Sequence, residues 1–176
     1  MMKVLIALCL GCAFVFPSCD LSAPADEAES LYLSHGIEPS YMVSGGHFVD
    51  NWYTAETIPS CLLIRDFDCF DEYFSIGWVQ GMDESRLITE ERMEGGFVLS
   101  VIYQGNDVSS LGVERIVLQN GRLIVRYARK VIMEDASFTG NYHATVLIED
   151  CDFDSVMLVE NGRWLDQVPV TEVVCD

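Results

Sequence analysis

Twenty residues in the second half of the chain, "VERIVLQNGRLIVRYARKVI" at 113–132, restrict the possible folds more than any other stretch. Asn120-Gly121 stands between two apolar runs, and both residues accept the positive φ that a type I′ turn demands. A two-residue loop there fixes the register. Gln119 pairs with Arg122, Leu118 with Leu123, Ile116 with Val125 and Arg115 with Arg126. Side chains alternate along a strand, so Ile116, Leu118, Leu123, Val125 and Tyr127 share the core face. Arg115, Arg122, Arg126 and Lys130 then share the outer face.

The remaining organised stretches begin near Ile58. "CLLIR" at 61–65 reads as a short buried strand. "DFDCFDEYF" follows, with Asp66 placed to cap a helix over about 67–75 and Phe67, Phe70 and Phe74 at helical spacing. "GWVQGMDESRLITEERMEGG" reads as loop with a little local structure. "FVLSVIYQ" at 97–104 is apolar almost throughout, as a strand covered on both faces would be. "YHATVLIE" at 142–149 and "SVMLVENGRWL" at 155–165 add strands, the second around an Asn161-Gly162 turn. The expected fold is α+β: a mostly antiparallel sheet of about five to seven strands with one short helix packed on it.

The opening "MMKVLIALCLGCAFVFPSCD" does not fit that pattern. Lys3 precedes an uncharged apolar run from Val4 to Phe16. As a helix this run rises about 20 Å, too short for a ~30 Å bilayer core, so it reads as the h-region of a signal peptide over 1–18. Ser18-Cys19 at its end resembles the lipobox of bacterial lipoproteins. That resemblance implies a lipidated Cys19, with export and anchoring to a bacterial membrane. Ordinary secretion after Ala23-Pro24-Ala25 is the alternative. Residues 19–30 are small and acidic and read as a tether, 31–57 as an N-terminal extension, and 58–176 as a single domain.

Without Lys3, nine Lys and Arg face 28 Asp and Glu. A surface this acidic repels phosphates, which argues against nucleic acid and leaves the lipid anchor as the only membrane contact. Five of the nine cations crowd into 115–130. Arg115 opposite Arg126 is unfavourable by a few tenths to ~1 kcal/mol unless a carboxylate sits beside them. That carboxylate comes either from the protein itself or from a partner bound at Arg115, Arg122, Arg126 and Lys130.

Cys61, Cys69, Cys151 and Cys175 follow the leader, and in an exported protein they permit disulfides of undetermined connectivity or buried free thiols. Asp150, Asp152 and Asp154 alternate like the start of a calcium loop, though Ser155 and Asn161 occupy the glycine and glutamate positions. They are candidate ligands for a weakly held calcium ion. His35, His47 and His143 lack zinc-site spacing, and His143 falls in a strand. No nucleophile elbow or phosphate loop occurs, and no cofactor is expected. A carboxylate-dependent envelope hydrolase remains an alternative.

"LIRDFDCFDEYF", "LITEERMEGGFVLSVIYQG", "LQNGRLIVRY" and "VMLVENG" occur in this order between residues 58 and about 165. Together they resemble the C-terminal domain of bacterial exported accessory subunits that stabilise surface protease complexes. The resemblance implies a noncatalytic protein that binds or stabilises another cell-envelope protein. It transfers no functional residue.

Overall fold

The computed structural model describes residues 36–50, 52–77, 82–165 and 168–175. Its first strands are Tyr41–Val43 (β1), His47–Val49 (β2), Ser60–Ile64 (β3), Phe74–Ile76 (β4) and Gly96–Gly105 (β5). Val108–Gln119 (β6), Arg122–Met133 (β7) and Gly140–Glu149 (β8) are the long ones. Ser155–Glu160 (β9), Arg163–Leu165 (β10) and Val170–Val173 (β11) complete the set. Two helices, Phe67–Tyr73 (α1) and Glu90–Met93 (α2), and a 3-10 turn at Glu84–Arg86 lie between them.

The strands form three sheets, where the sequence alone indicated one. The first has the order β1-β8-β5-β3-β11, the second β10-β9-β7-β6, and β2-β4 is a two-stranded ribbon. Most pairings are antiparallel; β3–β11 and β7–β9 are parallel. The stretch read as an N-terminal extension enters the fold, because Tyr41–Val43 adds an edge strand beside β8. The leader, tether and Cys19 lie outside the described residues.

β5 explains the layering. Phe97, Leu99, Val101 and Tyr103 point to one face and pack with Ile116, Leu123, Val125, Tyr127 and Leu158 of the second sheet. Val98 and Ile102 point the other way and pack with Phe70 and Phe74. A strand apolar on both faces needs a layer on each side. The second sheet covers one face and α1 covers the other.

α1 begins where Asp66, in extended backbone, accepts hydrogen bonds from Asp68 N at 2.9 Å and Cys69 N at 3.3 Å. It ends at Tyr73, two residues earlier than its apolar spacing indicates. Phe74 turns extended and pairs with Val49 across the ribbon. The Phe70 and Phe74 rings stack at 4.9 Å, both almost fully buried. Removing either ring is worth roughly 3–5 kcal/mol by analogy with other buried phenylalanines.

The β6–β7 hairpin has the register its turn dictates: Gln119–Arg122, Leu118–Leu123, Ile116–Val125 and Arg115–Arg126. Asn120 and Gly121 have φ of 50° and 72°. Ile116, Leu123, Val125 and Tyr127 are buried on the inner face, while Leu118, near the turn, is half-buried. The carboxylate of Asp154 lies against Gly121 where a β-carbon would stand. Gly121→Ala is expected to cost about 1–2 kcal/mol from the left-handed backbone, with added crowding from Asp154. A urea titration should show a lower midpoint with unchanged slope, and Asn120→Gly should stay near the parent protein. Equal midpoints for Gly121→Ala and the parent would contradict the turn geometry.

Candidate functional site

The four outer-face cations do not form one patch. Arg115 pairs with Glu38 through its Nε, and the Arg126 Nε donates to Glu114 Oε2 at 2.7 Å. The bulge between Val113 and Arg115 is what brings Glu114 there. One extra residue in β6 re-aims the chain and sets a carboxylate beside two opposed arginines. Arg122 and Lys130 are exposed and form no ion pair among the described residues. Eight residues of strand hold them roughly 26 Å apart at ~3.3 Å per residue.

Asp150, Asp152 and Asp154, the candidate calcium ligands, do not gather into one group. Among the described residues no group of three or more potential ligands gathers. The cause is Phe153, which turns inward and meets Phe97 at 5.2 Å between ring centroids. Around that anchor, Asp150 faces Arg65 at 3.7 Å and Asp154 lies against Gly121. Asp152 stays exposed.

Of the four cysteines, Cys69 and Cys175 form a disulfide with 5.5 Å between α-carbons. The other two candidates, Cys61 and Cys151, are free thiols. Cys61 points into the core between the two large sheets, whereas Cys69 belongs to α1 itself and packs on the opposite face of the first sheet. Burial pushes the Cys61 thiol up to about 12, which removes thiolate character.

Two polar clusters escape the sequence patterns. In the first, Tyr103 and Tyr127 both donate to Glu160 Oε2, Tyr127 at 3.0 Å. Arg129 lies 4.3 Å above the Tyr103 ring, and its Nε donates to Ser109 Oγ at 3.3 Å. Burial, and then the Glu160 carboxylate, push the Tyr103 phenol up to about 12; burial also raises that of Tyr127. Both phenols therefore stay protonated donors at neutral pH, suited to holding a carboxylate and unsuited to acting as bases. Tyr127 was legible as an inward residue. Its partner Glu160 depends on the parallel β7–β9 pairing, which leaves no local mark.

The second cluster joins β2, β5 and β8. His143 Nε2 lies 2.9 Å from the His47 carbonyl, which can only accept, so the proton is on Nε2. Nδ1 of the neutral ring then accepts from Thr145 Oγ1 at 2.8 Å. Thr145 in turn accepts from Ser100 Oγ at 2.7 Å. His47 Nδ1 meets Ser44 Oγ at 2.9 Å. Burial lowers both imidazoles from 6.5, and the repulsion it would meet from a protonated His143 lowers His47 further. A chain of this kind anchors the ribbon to the sheet and presents no free nucleophile.

Compared with protein-family models, curated proteins and solved structures, the chain matches none of them. Among the described residues no helix is long and apolar enough to cross a membrane.

The buried imidazoles set a pH dependence. Their folded values lie below 6.5, so the unfolded chain binds more protons in the interval beneath that value. Stability is full above 6.5 and is lost as pH falls through the interval toward the folded values. Urea midpoints measured from pH 7.5 to 5 should fall, and His143→Gln should flatten the dependence. An identical pH dependence in that variant would show that His143 titrates freely in the fold.

Proposed function

We propose that this chain is a noncatalytic binding module of a bacterial cell envelope, exported and held at a membrane through a lipidated Cys19. It contacts or stabilises another envelope protein. The open edge of β7 is the observation that supports the binding reading. β9 pairs with β7 only as far as Tyr127. Asn161 then replaces a strand with its own side chain: Oδ1 accepts from Arg129 N and Nδ2 donates to Arg129 O, both at 3.0 Å. Beyond Arg129 no strand pairs with that edge among the described residues. Backbone groups alternate along a strand, so Val131 presents the next unmatched ones; directly beyond it the register shifts, Val131 standing opposite Ser109 and Met133 opposite Val108.

The side chains there suit a partner strand. Ile132 is 64% exposed and Met133 56%, and Phe138 in the next connection is exposed as well. Lys130, exposed and with no ion pair among the described residues, stands at the head of the segment. Soluble proteins usually guard such an edge with charge, proline or a cover, and a bare apolar one favours β-strand addition by another chain. This moves the contact surface from the turn end of the hairpin, where Arg115 and Arg126 are engaged by glutamates, to its far end.

Crosslinked pull-down from the native envelope tests the reading. Ile132→Glu is expected to reduce capture by about tenfold or more, as loss of an interface anchor does, with the melting temperature nearly unchanged. Arg122→Glu, at the turn, should leave capture intact, and Cys19→Ser should move the protein out of the membrane fraction. Undiminished capture by Ile132→Glu would sink the assignment of this edge.

A further inference from the structure

At the edge of the first sheet a cleft of about 370 Å3 lies between β11, the end of α1 and the chain that follows β2. One wall is aromatic. Trp52 meets Tyr73 at 4.9 Å between ring centroids with 63° between planes, and Tyr53 meets Tyr73 at 6.1 Å and 58°. Rings inclined at such angles make a corner, and all three line the cleft. A flat platform, the arrangement that suits a sugar ring, is absent from this trio.

Each ring is fixed by its own element. Tyr73 closes α1. Tyr53 is buried, and its hydroxyl pairs with Ser60 Oγ on β3 at 2.7 Å. Trp52 is 55% exposed, an unusual state for so large an apolar group beside a ready cleft. Two carboxylates face the same space. Glu172 uses Oε1 to accept from Arg65 Nε at 3.2 Å. Glu56 forms no ion pair among the described residues. Its charge adds to the effect of burial in raising the Tyr53 phenol, so it lies close to the aromatic wall.

We propose that this cleft binds an organic ammonium ion, a quaternary ammonium group above all, with Trp52 and Tyr73 as the aromatic wall and Glu56 as the main counter-charge, beside Glu172, whose charge is shared with Arg65. A cation over tryptophan or tyrosine is attracted by the ring quadrupole, more strongly once partly desolvated. The formal charge of −18 raises the local concentration of cations and opposes anionic ligands. The apolar methyl shell of a quaternary ammonium fits an aromatic corner, where a hydrated metal ion does not.

Calorimetric titration of the full chain with choline chloride tests this. Saturable binding is expected, with a dissociation constant on the order of 1 mM. Trp52→Leu should weaken it by about tenfold or more, and Trp52→Phe, which keeps a ring face, should restore part of it. Glu56→Gln combined with Glu172→Gln should weaken it comparably. The neutral isostere 3,3-dimethylbutan-1-ol should not bind. Trp52 is half in water, so its variants are expected to melt with the parent protein. Cosedimentation with phosphatidylcholine vesicles that depends on Trp52 would assign the ammonium to a lipid headgroup; binding of free choline alone would assign it to a soluble compound. Absence of saturable heat with choline, equal binding of the isostere or of glucose, or full binding by Trp52→Leu would overturn the proposal.

Discussion

Strand β5 has no polar face, and the rest of the molecule answers to that. Its odd-numbered side chains from Phe97 to Tyr103 fill the space between the two large sheets, and Val98 and Ile102 fill the space beneath α1. Each large apolar side chain taken fully from water contributes about 1.5–3 kcal/mol, so leaving either face bare would forfeit several such terms. Between Phe97 and Ile102, Ser100 is the one polar interruption, and it is matched by Thr145 across the strand pair. The polar chain that continues through His143 keeps that interruption satisfied without water.

Local chemistry was the part of this fold written most plainly in the sequence. Asn120-Gly121 determines its own register because few other dipeptides accept two successive positive φ values. Asp66 caps α1 because its carboxylate reaches unpaired amides one turn on. The two-sided burial of β5 was legible in its unbroken apolar run. What could not be read is which distant segments meet. The parallel partners of β3 and β7 share no turn with them, and strand order between such segments has no periodicity to betray it. The disulfide is of the same kind: Cys69 and Cys175 are 106 residues apart. Phe153 looked like a loop residue, yet by turning inward it separates the aspartates on either side of it.

Charge follows a similar division. Crowding of arginines on one hairpin face was visible, and so was the need for a nearby carboxylate. That Glu114 would supply it through a bulge was not, because the bulge adds a residue to one strand only. The surface ion pairs here are worth little individually, about 0–1 kcal/mol. Their effect is to withdraw Arg115 and Arg126 from recognition and leave Lys130 as the cation beside an uncovered edge.

Asn161 gives that edge its length. Its amide is a bookend: it occupies the rung at Arg129 in both hydrogen-bonding directions and leaves the proposed strand addition only the few residues beyond. So short a ladder cannot discriminate among sequences through backbone bonds alone. In the proposed strand addition, selectivity then rests on how a visitor's side chains mesh with Ile132, Met133 and Lys130, and a single asparagine in a tight turn is the ruler that sets how much of the strand is left open.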